Sequence, residues 1–178
     1  MNRTVLITGG GSGIGLATAR LFLDNQDRVA LTGRNAEKLR SAAETLDGGE
    51  NVMTHPADVS EPEQVQSLVE SVVEKFGPID ILVNNAGVNI KERMMGNLSL
   101  ENWQKLIRVN LDGAFYCMHA VLPSMRERKQ GLIININSIS GKRAGPLGGV
   151  AYAAAKHGMQ GLALCAGAAE KENHIRIC

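Results

Sequence analysis

Tyr152 and Lys156 stand four residues apart in the run Tyr152-Ala153-Ala154-Ala155-Lys156. In a helix that spacing puts both side chains on one face. A phenol ordinarily keeps its proton until about pH 10, and a neighbouring ammonium favours the phenolate. The pair could therefore pass a proton to and from a bound oxygen near neutrality, as general acid or general base. Ser138 supplies a hydroxyl suited to holding and polarising that oxygen. A second group of residues suits a different task. Thr8-Gly9-Gly10-Gly11-Ser12-Gly13-Ile14-Gly15 follows a short apolar run and precedes a helical pattern. Glycines there permit a tight turn and a close backbone approach. The helix start adds unpaired N–H groups and the positive end of its dipole, which together suit a diphosphate.

The elements that must position these residues alternate along the chain. Strands are expected at Arg3–Thr8, Arg28–Gly33, Asn51–Ala57, Ile79–Asn84 and Gly131–Ser138, and Ile175–Cys178 reads as the first half of a sixth. Helices are expected at Ser12–Asn25, Asn35–Leu46, Glu61–Phe76, from Ser99 to about Ser124, and from about Val150 to Asn173. The Glu61–Phe76 segment is the clearest, because Val65, Leu68, Val69, Val72, Val73 and Phe76 recur at three- and four-residue steps. Ser60 and Glu63 carry a capping-box signature ahead of it, and Ser99 reads as the cap of the long helix that holds Asn110. Strand and helix in strict alternation imply a parallel sheet covered on both faces. The expected fold is therefore α/β: one doubly wound, Rossmann-type domain of three layers, with no repeat, linker or low-complexity tract.

The glycine turn does not match every phosphate-binding pattern. From Gly9 or from Gly11, the last glycine of Gly-x-Gly-x-x-Gly is missing, and no Gly-Lys-Ser/Thr follows. The second strand bears on which nucleotide would fit. A carboxylate usually ends that strand when the ligand ribose carries a free 2′-hydroxyl. Here it ends Leu31-Thr32-Gly33-Arg34-Asn35, so glycine takes the acid's place and a guanidinium follows. A guanidinium suits a 2′-phosphate through paired charge-assisted hydrogen bonds. Ser12 points the other way, since many binders of the phosphorylated nucleotide carry a basic residue there. The expected preference is NADP(H), with NAD(H) as the alternative.

Thr8-Gly9-x-x-x-Gly13-x-Gly15, Asn84-Asn85-Ala86-Gly87, Val109-Asn110-Leu111, Ser138 and Tyr152-x-x-x-Lys156 follow one another in this order. Together they resemble the short-chain dehydrogenase/reductase family, and the resemblance runs from Val5 to Ile177. It implies an oxidoreductase that interconverts a secondary alcohol and a carbonyl by hydride transfer, the hydride belonging to the cofactor. Asn110, Ser138, Tyr152 and Lys156 would then be the catalytic residues. Lys156 would also hold the nicotinamide ribose hydroxyls, and Asn110 would anchor a water that relays protons. Asp58, in Ala57-Asp58-Val59, would meet the adenine ring. Gly9, Gly11, Ser12, Gly13, Ile14, Gly15, Arg34, Asn84, Ala86 and Gly87 would complete the cofactor site. A cofactor-binding module without turnover, or an inactive fragment of a longer dehydrogenase, is the other reading.

The sequence departs from the family pattern in three places. Asn137 stands where relatives often have a second serine, and Ala155 stands where serine or threonine is usual. The chain also ends at Ile175-Arg176-Ile177-Cys178, before the lid and last strand that the resemblance implies. Truncation from a longer enzyme is the expectation. The substrate class, whether 3-oxoacyl, sugar, steroid or hydroxy-amino-acid, is left open.

Composition sets the remaining bounds. The 178 residues carry a formal net charge of +1 and show no basic cluster, so no nucleic-acid partner is expected. Cys117, Cys165 and Cys178 lack metal-ligand spacing and read as buried free thiols in a reducing compartment. No leader and no membrane-length apolar run is visible, so the expectation is a cytoplasmic enzyme. Its partners would be a small alcohol or carbonyl compound and further copies of itself, through the two long helices, as a homo-oligomer.

Overall fold

The structure, a computed structural model, describes residues 2–178. Six strands form one parallel sheet in the order β3-β2-β1-β4-β5-β6. They are β1 (Thr4–Thr8), β2 (Arg28–Gly33), β3 (Val52–Pro56), β4 (Ile81–Asn84), β5 (Gly131–Asn135) and β6 (Ile175–Ile177). The helices are α1 (Gly13–Asp24), α2 (Ala36–Leu46), α3 (Pro62–Phe76), α4 (Leu100–Ile107), α5 (Gly113–Arg128) and α6 (Val150–Ala169). The expected three-layer α/β architecture is thus the one observed.

The central strands lie between two layers, so both of their faces are apolar. All five residues of β1 are buried. Val5 and Ile7 face one core with Val29, Leu31, Ile81 and Val83, roofed by Ala19 of α1 and Leu39, Ala42 and Leu46 of α2. Leu6 and Leu82 face the other core with Ile133, roofed by Val65, Leu68 and Val72 of α3 and Val121 and Met125 of α5. Leu162 and Ala166 of α6 pack against that second core. The period-two alternation along β1 is what divides its side chains between the two layers.

Several boundaries differ from the sequence reading. β4 starts two residues late, because Asp80 turns out to accept hydrogen bonds from the Thr4 backbone (2.9 Å) and Arg128 (2.8 Å). The capping box ahead of α3 does not form. Glu61 is the cap residue and makes no side-chain bond, Pro62 opens the helix, and Ser60 is spent on Asp58. A proline at the first helical position needs no donor of its own, so one capping partner fewer is required. The long helix runs past Ser124 to Arg128 with Pro123 inside it, and is interrupted by a π-turn at Arg108–Asp112. The last helix ends at Ala169, and Lys171–Asn173 tightens into a 3-10 turn. Only Cys117 of the three cysteines is buried, and burial pushes its thiol up to about 12. Cys165 on α6 and Cys178 beside β6 are exposed.

Leu6 sits at the centre of the sheet and is completely buried. Leu6→Ala should cost about 2–5 kcal/mol, read as a lowered urea midpoint with an unchanged slope.

Candidate functional site

The order of strands reverses between β1 and β4, and the loops leaving these two strands diverge to either side. In open parallel sheets such a divergence leaves a crevice at the C-terminal ends of the strands. Here it is a cleft of about 720 Å3. Its floor is tied together by two side chains. The Thr8 hydroxyl accepts from the backbone N–H of Asn85 (3.0 Å) and of Ala86 (2.9 Å), and the Asn85 amide donates to the carbonyls of Thr8 (2.9 Å) and Gly9 (3.1 Å). Asn85 was not among the expected site residues. Its position in an Asn-Asn doublet at a strand end was the available signal, since neighbours along a strand point to opposite sides.

The glycine turn is shaped by close approach. Gly9 has φ +65°, and a Cβ on it would sit 3.0 Å from the Cα of Ala86. A Cβ on Gly15 would sit 2.5 Å from the Gly9 carbonyl oxygen, so no side chain is tolerated there. Ser12 precedes α1 and makes no side-chain cap bond. The first-turn N–H groups of α1 are therefore left free beside the cleft, with the dipole's positive end behind them. The cleft wall includes Gly9, Gly11, Ser12, Ile14, Arg34, Asp58, Ala86 and Gly87, among the residues expected from sequence. Gly13 and Gly15 shape the turn without lining the wall. Asn84 does not line it either. It is buried, and its amide is turned to the Ala114 carbonyl (3.3 Å) and the Asn135 side chain (3.0 Å).

One end of the cleft is cationic. Arg34 is exposed and forms no ion pair among the described residues. Asn35 caps α2 by accepting from the Lys38 N–H at 2.8 Å, and the Lys38 stem lies beside Gly11. Lys38 also lines the cleft, and sequence reading missed it. Asp58 faces the same end, with one carboxylate oxygen accepting from the backbone and hydroxyl of Ser60 (3.0 and 2.7 Å). A dinucleotide phosphate fits this donor set: a bare glycine turn, free helix N–H groups, and unpaired cations.

Val88 links the cleft to the remaining site residues. The Asn110 side chain clamps it, accepting from the Val88 N–H at 3.0 Å and donating to the Val88 carbonyl at 2.9 Å. The same amide donates to the Leu106 carbonyl of α4 at 2.9 Å, from within the π-turn. The wider turn is what brings Asn110, fully buried, to the loop after β4. Next along that loop, Asn89 donates to the Gly148 carbonyl at 3.1 Å. Gly148 adjoins both Ser140 and Tyr152.

Ser138 caps the 3-10 turn Ile139–Gly141, and its hydroxyl oxygen accepts from the Ser140 N–H at 3.1 Å. The hydroxyl proton remains free to donate. Asn137 holds this turn to α6: it accepts from the Ser138 N–H and donates to Gln160, each at 2.9 Å. Tyr152 is half-buried, and its hydroxyl has no hydrogen-bond partner among the described residues. Lys156 shares its helix face, with the ammonium 5.8 Å from the Tyr152 ring centre. That ammonium donates to the Ile136 carbonyl at 2.8 Å. Burial lowers the Lys156 pKa to about 8. Asn110, Ser138, Tyr152 and Lys156 lie off the cleft wall itself. Among the described residues, no cluster of three His, Cys, Asp or Glu could hold a metal ion. Among the described residues, no helix is long and apolar enough to cross a membrane.

Fold and cleft together define a Rossmann-type domain with a crevice at its strand-order reversal. Comparison with known proteins agrees, as the family model for short chain dehydrogenases matches residues 3–178. The chain belongs to the short-chain dehydrogenase family. It is 39% identical to a D-beta-hydroxybutyrate dehydrogenase of Rhizobium meliloti over 91% of its length, and spans 63% of that relative. It is 35% identical to a 3-oxoacyl-acyl-carrier-protein reductase of Chlamydia trachomatis, covering 99% of this chain and 71% of that one. Among solved structures, an actinorhodin polyketide ketoreductase with NADPH superposes with a TM-score of 0.93 at 34% identity, over 99% of this chain and 68% of that one.

The lowered pKa of Lys156 has a consequence for stability. Its buried charge costs stability in full below about pH 8, and the cost fades as pH rises towards the ordinary lysine value of 10.5. Relative to Lys156→Met, the wild-type chain should therefore gain stability between pH 8 and pH 10. Urea midpoints of the two chains across that range measure it, and a constant gap would show that Lys156 is not held at a lowered value.

Proposed function

We propose that this chain binds NADP(H) and interconverts a secondary alcohol and a carbonyl compound, with Tyr152 exchanging the proton. The observation that carries the reading is the cleft at the strand-order reversal, with free helix N–H groups at its glycine turn and the unpaired Arg34 and Lys38 at one end. The relatives support it: one is named a dehydrogenase of a hydroxy acid, one a reductase, and one was solved with NADPH.

Gly9, Gly11, Ser12 and Ile14 would receive the diphosphate, with Gly13 and Gly15 shaping the turn. Arg34, and Lys38 beside it, would hold a 2′-phosphate, which favours NADP(H) over NAD(H). Asp58 would meet the adenine, and Ala86 and Gly87 would support the ribose on the opposite wall. The bound dinucleotide would supply or accept the hydride. Ser138 would donate its free proton to the substrate oxygen and polarise it. Tyr152 would deliver a proton to that oxygen in reduction and remove it in oxidation. Lys156 would favour the phenolate and hold ribose hydroxyls, which requires its ammonium to leave the Ile136 carbonyl or to share it. Asn110, whose side chain is fully engaged with Val88 and Leu106, would act by fixing the loop that carries Val88. Asn84 would stabilise the strand ends rather than touch the cofactor. The outer faces of α4, α5 and α6 expose Trp103, Phe115 and Leu164, the surface we propose for contact between copies.

A second reading, a binding module without turnover, is favoured by one observation: Ser138 and Tyr152 lie off the cleft wall. Tyr152→Phe separates the two. With a panel of ketones and aldehydes, the wild-type chain should oxidise NADPH and the variant should lose about two to four orders of magnitude in rate, while still binding NADPH. Equal rates in both chains would remove the catalytic reading.

A further inference from the structure

Two loops form the rim beyond the reacting groups. One runs over residues 88–98 between β4 and α4, and the other over residues 138–149 between β5 and α6. The first carries Lys91 and Arg93, the second Lys142 and Arg143, and Glu92 is the one acid between them. The whole chain has a formal net charge of only +1, so the rim concentrates positive charge. None of the four cations forms an ion pair among the described residues.

Arg93 differs from the other three. It is half-buried, whereas Lys91, Lys142 and Arg143 are exposed. Its backbone is fixed, because its carbonyl accepts from the Val150 N–H at 3.0 Å, two residues before Tyr152. Its stem packs on Gly149, where a Cβ would lie 2.5 Å from the Arg93 Cβ. The Asn89 bond to Gly148 holds the same two loops together. Yet the guanidinium has no hydrogen-bond partner among the described residues. Elsewhere in the chain, Arg3, Arg126 and Arg128 are committed to Asp27, Glu170 and Asp80. A guanidinium whose stem is anchored at the start of the helix that carries Tyr152, with its five donors open, suits a planar anion.

We propose that the substrate carries an anionic group, a carboxylate or a phosphate, which Arg93 receives while Lys142 and Arg143 draw it in. The proposal rests on the reading of Tyr152 as the reacting end of the site. A bidentate contact to Arg93 would fix the distance between the anion and the carbonyl under attack. The exposed lysine and arginine would act through the field alone, so their effect fades with salt.

The test compares short-chain oxo acids with their own methyl esters, and with oxoalkyl phosphates, on the NADPH-saturated chain. Calorimetry gives the dissociation constants, and NADPH oxidation gives the rates. The acids or the phosphates should bind about tenfold or more tightly than the neutral esters. Whichever anion gains the preference identifies its source. The preference should shrink at high salt, vanish in Arg93→Gln and partly return in Arg93→Lys. Because the Arg93 backbone makes the contact with Val150, the side-chain change leaves that anchor in place. No preference for either anion over the esters, or one unchanged in Arg93→Gln, overturns the proposal. Failure of the catalytic reading is seen separately, as turnover indifferent to Tyr152, and the binding comparison does not depend on it.

Discussion

The joining of β1 to β4 through Thr8 and Asn85 is the constraint on which the rest of the site depends. These two strands leave the sheet where its order reverses, and their loops must diverge for a crevice to exist. The Thr8 hydroxyl and Asn85 amide hold the floor of that crevice shut by four hydrogen bonds. Only then can Gly9 lie against Ala86 and Gly15 lie against Gly9. The start of α1 is thereby aimed into the cleft with its N–H groups unspent. The energy for this arrangement comes from the two apolar layers, which bury both faces of β1 and fix where the strands end.

From that floor the site extends by successive backbone clamps. Asn110 reaches Val88 because the helix widens into a π-turn at Arg108–Asp112, and regular helical winding would rotate its side chain elsewhere. Asn89 and the Arg93 carbonyl carry the same loop to Gly148 and Val150. Asn137 and Gln160 tie the Ser138 turn to the helix bearing Tyr152 and Lys156. Side-chain amides acting on backbone thus carry most of this assembly. The hydroxyl protons of Ser138 and Tyr152 stay uncommitted among the described residues.

Much of this was legible in the sequence, and the limits have physical reasons. Short apolar runs located the six strands and the 3.6-residue pattern the long helices, with α4 and α5 read as one, because each element must bury a face. The Thr8–Gly15 turn and the Tyr152/Lys156 spacing were readable because their chemistry is local. The failures were all non-local or geometric. Ser60 looked like a helix cap, but Pro62 moved the start and Asp58 claimed its hydroxyl. Asn84 and Asn85 differ by one residue, and only the register of β4 decides which faces the cleft. The π-turn leaves no pattern in the residue types. Lys38 became part of the cleft only when α2 had packed against the glycine turn.

The central claim is that the cleft is a site for a phosphorylated dinucleotide. Calorimetric titration of the chain with NADPH and with NADH tests it most directly, since on the proposed reading Arg34 and Lys38 would act on the 2′-phosphate alone. The account predicts saturable binding of both, with NADPH tighter by about tenfold or more. Equal or tighter binding of NADH would contradict the role of these two cations, and binding of neither would contradict the site.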